Sequence, residues 1–159
     1  MQKSRRHSGA GPPWTLIGAH PGAGTSTLVL LLNHQADTAN AVEFTGEAMA
    51  QSSRIAVVAS STAPGTAQAA QMIAQWPDQI PRPVLLVRQA DPFGLPPLSR
   101  YQLKAISAEV SGVINVPYVF ALRQLDVTTA LTTSRRIARL ARRLRHRLRE
   151  LPAGSGSRP

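Results

Sequence analysis

WTLIGAHPGAGTSTLVLLL, residues 14–32, decides the fold. Its first third is a continuous apolar run of the kind that forms a buried strand, and its last third is rich in leucine, as an apolar helix is. Between them lie two glycines, Gly22 and Gly24. A strand that passes directly into a helix follows so tight a path that some residues must take positive φ, which glycine tolerates. The amides of Ala23, Gly24, Thr25 and Ser26 then gather at a helix N-terminus, where unpaired donors and the positive end of the helix dipole attract an anion.

Set against the phosphate-binding pattern G-x-x-x-x-G-K-[ST], the closing positions fall on Gly24, Thr25 and Ser26, and the opening glycine position holds Ala19. Thr25 thus stands where the pattern has its lysine. The candidate cofactor-binding residues are Gly22, Ala23, Gly24, Thr25, Ser26 and Thr27. Ser26 is also the candidate Mg²⁺ ligand, conditional on a nucleotide being bound. Without the lysine, the charge that phosphoryl transfer requires must come from elsewhere, and His20 is the nearest candidate. A neutral imidazole is a weak substitute, and a strand-end histidine with one hydrogen bond is the simpler reading. The turn reads as a tight strand-to-helix connection kept for folding alone or as a retained anion site, and either is favoured over catalysis: no catalytic residue is assigned, no cofactor is certain, and ATP with Mg²⁺ stays open.

Composition narrows the rest. At 159 residues the chain has room for a single core, which aliphatic side chains must fill because aromatic residues make up only 4%. The lack of cysteine removes disulfide and thiolate chemistry and suits a reducing cytoplasm. No apolar stretch approaches the roughly 18 to 20 residues of a spanning helix, so a soluble, cytoplasmic protein is expected. His7, His20, His34 and His146 show no ligand spacing, and carboxylates are not clustered for metal or acid–base work. GTST is not a nucleophile elbow. The net charge of +10 sits at the two ends, since residues 7–133 carry six basic and seven acidic side chains. An anionic partner for the ends follows more readily than a charged cleft.

Along the chain, residues 1–13 read as a disordered basic arm closing on Gly11, Pro12 and Pro13. A strand is predicted over 14–19 and a helix from Ser26 to between Gln35 and Asn40. Residues 40–53 read as a loop with a short helical turn through Glu43–Ala50. Buried-strand runs follow at 54–60 and 83–90, with a turn at 61–65 and a helix over 66–76 between them. Asp91 and Pro92 open a proline loop; a helix over 98–110 and a strand over 112–116 complete the body. Strands alternating with helices imply right-handed crossovers. The predicted fold class is α/β: a three-layer sandwich on a small, mainly parallel sheet, spanning 14–131, with any ligand beyond the carboxyl ends of the strands.

Three stretches resemble the ParA/MinD group of deviant P-loop ATPases, in a shortened and degenerate form found in small mobile-element proteins. GAHPGAGTSTLVLLL resembles the P-loop and its helix, IAVVASSTAPGTAQAAQMIAQW the strand and helix after the hydrolytic strand, and GVINVPYVFALRQLD the closing strand and its Val-Pro-Tyr turn. The resemblance implies a P-loop NTPase-like fold, and a nucleotide base near Asp91 and Pro117. His20 takes the place of the group's signature lysine. The group's Walker B aspartate ends a strand after the P-loop helix, yet no apolar strand followed by Asp lies between His34 and Arg54. The hydrolytic strand is therefore expected to be missing, and efficient hydrolysis with it. Asp37 and Asp91 read as loop caps first, and Pro117 as a strand terminator.

The second informative stretch is a helix predicted over 132–151, followed by a disordered tail over 152–159. At about 100° per residue, Ile137, Leu140, Ala141, Leu144, Leu148 and Leu151 fall within a sector of roughly 80°. Arg135, Arg136, Arg139, Arg142, Arg143, Arg145, Arg147 and Arg149 occupy the remainder and are the candidate residues for a nucleic acid or anionic surface. Nucleic acid is the favoured partner, through phosphate contacts. An anionic membrane surface is the alternative the resemblance implies, since MinD-like proteins end in a basic amphipathic helix. Docking of the leucine face on the domain, on a second copy or on another protein is the third. The expected function is that of an accessory or regulatory binding protein with the P-loop fold. The alternative is a ParA/MinD-type ATPase of plasmid partition or positioning.

Overall fold

The computed structural model describes residues 11–36, 39–45 and 54–151. The basic arm before residue 11, Asp37, the helical turn expected beyond Thr45 and the tail after Leu151 lie outside them. The described chain is an α/β three-layer sandwich with a five-stranded, wholly parallel sheet. In chain order the elements are β1 (Trp14–Gly18), α1 (Thr25–Asn33), β2 (Ala41–Glu43), β3 (Ile55–Ser60), α2 (Ala63–Ala74), β4 (Val84–Arg88), α3 (Pro97–Ile106), a 3₁₀ turn (Ser107–Glu109), β5 (Gly112–Val116), α4 (Ala121–Gln124), α5 (Val127–Thr133) and α6 (Arg135–Glu150).

The strands lie in the order β2-β1-β3-β4-β5. From β1 the chain moves one way to β2, and from β3 it moves the other way through β4 to β5. One crossover hand carried in opposite directions places α1 on one face and α2 and α3 on the other. The central strands show this as alternation. Ala56, Val58, Val84 and Leu86 join the core under α1, α5 and α6, while Val57, Ala59, Leu85 and Val87 face α2 and α3. Burial on both faces is why these runs read as continuous apolar segments. The reversal of direction falls between β1 and β3, and a crevice at their carboxyl ends is the usual ligand position in such sheets.

β2 was not legible in the sequence, where residues 40–53 read as a loop. Its three residues pair with Trp14, Thr15 and Leu16, and Asn33 at the end of α1 holds it in place. The Asn33 amide oxygen accepts from the N–H groups of Asn40 and Ala41 at 2.7 and 2.9 Å, and its amide nitrogen donates to the Ala41 carbonyl at 2.8 Å. One side chain thus satisfies backbone groups that a longer strand would pair by itself. α2 opens a turn earlier than expected, because the Thr62 hydroxyl accepts from the Gly65 N–H and Pro64 sits in the first turn, where its missing N–H costs nothing.

The helix expected from Thr132 opens at Arg135. α5 runs to Thr133, Ser134 is extended, and α6 begins after it. Asp126 caps α5 by accepting from the Thr129 N–H at 2.9 Å and from the Thr129 hydroxyl. Those bonds, the hydroxyl first, hold the Asp126 carboxyl below its ordinary value. A depressed folded value means stability that is present above the ordinary carboxylate range and is lost as pH falls through the folded value. The melting temperature of the chain should therefore exceed that of Asp126→Asn at neutral pH, because asparagine keeps the cap and loses the charge. The gap should close in acid; a gap independent of pH would show that the charge contributes nothing.

Candidate functional site

At the carboxyl end of β1 the chain turns through residues 19–24 into α1. Gly22 and Gly24 have φ of 76° and 97°, the left-handed region the sequence required of them. Gly24 is the N-cap of α1 and no side chain caps the helix. The Leu28 N–H bonds the Gly24 carbonyl and the Ala23 N–H bonds the His20 carbonyl. The N–H groups of Gly24, Thr25, Ser26 and Thr27 have no protein acceptor among the described residues. All six candidate residues, Gly22 to Thr27, line one cleft of about 520 Å³. The Thr25 hydroxyl lies against β1, where a Cβ on Gly18 would meet it at 2.8 Å, so Thr25 packs the turn.

A cation does reach the turn, and it comes from β4. Arg88, the last residue of that strand, donates from Nε to the Ala23 carbonyl at 3.0 Å and from Nη2 to the Gly22 carbonyl at 3.1 Å. Its fit is close: a Cβ on Gly24 would lie 2.5 Å from Arg88 Nε. Partial burial, and then the positive charge of nearby Arg123 on α4, lower the Arg88 guanidinium below its ordinary value. Arg88 and Arg123 both line the cleft. The signal available in the sequence was an arginine closing the apolar run VLLV. A charged side chain at the end of a buried strand needs partners, and here those partners lie on the glycine turn.

His20 does not serve as that cation. Its Nε2 accepts from the Ser60 N–H at 3.1 Å, and its Nδ1 lies 2.9 Å from the Pro21 carbonyl, to which only an N–H can donate. The two bonds together require a neutral imidazole with its proton on Nδ1. His20 is a cross-link between the ends of β1 and β3. α2 packs closely there because Gly65 has no side chain: a Cβ would lie 2.2 Å from Ser60 Oγ and 2.9 Å from His20 Nε2.

No apolar strand closed by aspartate lies between α1 and β3 among the described residues; a three-residue strand, β2, stands there instead. β2 lies next to β1 and ends on Glu43, whose Oε1 accepts from Ser26 Oγ at 2.7 Å. The expected form was an apolar run closed by aspartate, and three residues closed by glutamate do not resemble one. Asp91 is the loop cap it was read as, accepting from the Phe93 N–H at 2.8 Å. Asp91 is not among the cleft residues, whereas Pro117 is, together with Gln89 and Tyr118. The Tyr118 N–H donates to Gln89 Oε1 at 3.4 Å, which ties the turn after β5 to the end of β4.

α6 divides as the sequence indicated, with one exception. Ile137, Leu140, Ala141, Leu144 and Leu148 are buried in the same core as Leu28, Leu31 and Leu32 of α1. Arg135, Arg136, Arg139, Arg142, Arg143, Arg147 and Arg149 are exposed. Arg145 is half-buried and donates from Nη1 to the His34 carbonyl at 2.6 Å, at the C-cap of α1. Desolvation first, and then Arg149 and Arg142, lower its guanidinium below the ordinary value. Arg145 therefore belongs to the helix–helix contact, where a cation satisfies the end of α1.

No protein-family model and no curated protein matches this chain. One similar solved structure is translation elongation factor SelB from Methanococcus maripaludis in its apo form, with 16% identity and a TM-score of 0.49. That likeness covers 92% of this chain and 35% of SelB, so the chain spans about a third of that protein's length. Among the described residues, no helix is long and apolar enough to cross a membrane.

Proposed function

We propose that this protein is an accessory or regulatory binding module with a P-loop-like fold, which holds a phosphate-bearing ligand without efficient hydrolysis and engages DNA through α6. The observation that carries the first half is the set of uncapped amides following left-handed Gly24 in a cleft edged by arginine. Such a turn offers fixed donors to an anion. Thr25 supplies no charge there, and Arg88 spends two of its N–H groups on the turn itself.

DNA is favoured over a membrane surface or a second copy because the leucines of α6 are buried in the domain core, which leaves arginines as its outward face. Apolar insertion into lipid requires a free apolar face. A row of arginines without one suits a phosphate backbone, with affinity that falls steeply as salt rises.

A second reading, a ParA/MinD-type ATPase, draws on the Ser26–Glu43 pair. Two neighbouring oxygen donors beside the glycine turn fit a hard cation such as Mg²⁺, and these are the residues that would hold it. When bound, the metal would neutralise phosphate charge. The protein's own part is then to fix Ser26 at the first turn of α1 and Glu43 at the end of the edge strand β2.

The test is thermal stabilisation by ATP, GTP and ADP with and without Mg²⁺. At a hundredfold excess over the dissociation constant, a specific ligand stabilises the folded state by about 2.7 kcal/mol, a shift of several degrees. Stabilisation by nucleotide without steady phosphate release supports the module. No shift with any of the three removes the cleft as a nucleotide site.

A further inference from the structure

The Arg123 guanidinium has no hydrogen-bonding or ionic partner among the described residues, its backbone N–H alone bonding the Phe120 carbonyl, and it stands in the same cleft as half-buried Arg88. The one carboxylate lining that cleft, Glu43, takes the Ser26 hydroxyl. Two like charges brought together without a counter-charge oppose each other, and burial strengthens the repulsion. The burial and the Arg123 charge that lower the Arg88 guanidinium register that cost. Arg88 cannot move away to relieve it, because Nε and Nη2 are bonded to the Ala23 and Gly22 carbonyls. Its Nη1 has no such bond and keeps its donors.

We propose that Arg88 and Arg123 together form the cationic clamp of the cleft, and that its ligand carries at least two linked phosphates, as a nucleoside diphosphate or triphosphate does. Arg88 closes a central strand and Arg123 lies on the short helix α4 after β5, so the pair brackets the glycine turn from the side opposite β2. A single phosphate seated on the amides of residues 24–27 would meet one cation. A chain of phosphates leaving those amides along the cleft would engage both and cancel their repulsion. Guanidinium suits this position better than ammonium, because its fork matches phosphate oxygens in pairs. The clamp supplies from β4 and α4 the charge that Thr25 does not supply from the turn. The cleft volume of about 520 Å³ is within the usual range for small-ligand sites, and Gln89, Pro117 and Tyr118 also line it, where a base or other head group could be received.

This inference rests on the phosphate-binding reading of the cleft, and the two fail differently. The experiment is isothermal titration of the full chain, and of Arg123→Gln and Arg123→Lys, with ATP, GTP, ADP, AMP, inorganic pyrophosphate and orthophosphate. Arg123 is exposed on a short surface helix, so both variants should melt with the wild type. Arg88→Lys is the companion variant, with its melting temperature reported because the guanidinium also braces the turn. The expected result is that diphosphates and triphosphates bind the wild type more tightly than AMP or orthophosphate. Arg123→Gln should weaken the former about tenfold or more while leaving the latter nearly unchanged, and Arg123→Lys should recover part of the loss. Pyrophosphate binding as tightly as ATP would assign the recognition to the phosphates; a large preference for ATP or GTP would place a base in the cleft as well, and both outcomes keep the clamp. Equal binding of triphosphate by the wild type and Arg123→Gln overturns the clamp and leaves the cleft reading standing. Failure of every phosphate compound to bind the wild type overturns both.

Discussion

Leu144→Ala is expected to destabilise the protein by about 2–5 kcal/mol, and ending the chain at Ser134 should prevent it from folding. Leu144 is 3% exposed, and Ile137 and Ala141 are fully buried, all in one cluster with Leu28, Leu31 and Leu32 of α1 and with Ala56, Val58 and Leu86 of the sheet. Removing α6 would uncover that face of the sandwich. The loss from one buried leucine is already a large part of the roughly 5–15 kcal/mol by which domains of this size are stable. Arg145→Ala should cause a smaller loss, since it leaves the His34 carbonyl at the end of α1 without its partner. Urea unfolding of the three single variants Leu144→Ala, Ile137→Ala and Arg145→Ala measures these effects. An appendage helix would predict the opposite, namely unchanged stability for all three and a folded truncation.

The largest functional effect is expected from replacing Arg139, Arg142 and Arg143 by alanine together. All three are exposed on the outward face of α6, away from the buried leucines, so the fold should survive the change. With three fewer duplex phosphates neutralised, affinity should fall roughly a hundredfold near physiological salt. The slope of log affinity against log salt should flatten by about 0.9 for each phosphate no longer neutralised. Fluorescence anisotropy with a mixed-sequence duplex, over a series of salt concentrations, reads both numbers. Unchanged affinity with an unchanged slope would take DNA away from α6. Binding of anionic vesicles by the wild type, with no binding of duplex, would assign the same arginines to a lipid surface.

What the sequence showed and what it hid follow from the range of the interactions involved. β3 and β4 were plain because burial on both faces leaves an uninterrupted apolar run, and the glycine turn was plain because positive φ demands a particular residue. α6 was plain because its leucines and arginines separate by angle alone. β2 was hidden because its placement depends on the Asn33 side chain and on pairing with β1, not on any periodicity of its own. Arg88 was hidden for a related reason: the carbonyls it holds, on Gly22 and Ala23, lie on a turn that only the folded sheet brings beside β4. His20 was legible as a candidate cation and as a strand-end histidine with one hydrogen bond; its bonds to Ser60 and Pro21 decide for the second, and the link it makes to β3 could not be read from sequence. The boundary between α5 and α6 was hidden because it is a single extended residue, Ser134, after a stretch of threonines that carries no helical stripe.

The proposed function, joined with the clamp inferred from it, requires that a glycine turn without its lysine, braced by Arg88, hold a polyphosphate without cleaving it. A single experiment addresses both parts: purified chain mixed with an equal amount of triphosphate labelled on the γ-phosphate, with Mg²⁺, followed by counting of retained nucleotide and released phosphate over time. Retention of intact triphosphate with phosphate release no faster than in buffer is the expected result. Steady release that stops when Ser26 is replaced by alanine would contradict it, as would the absence of any retained nucleotide.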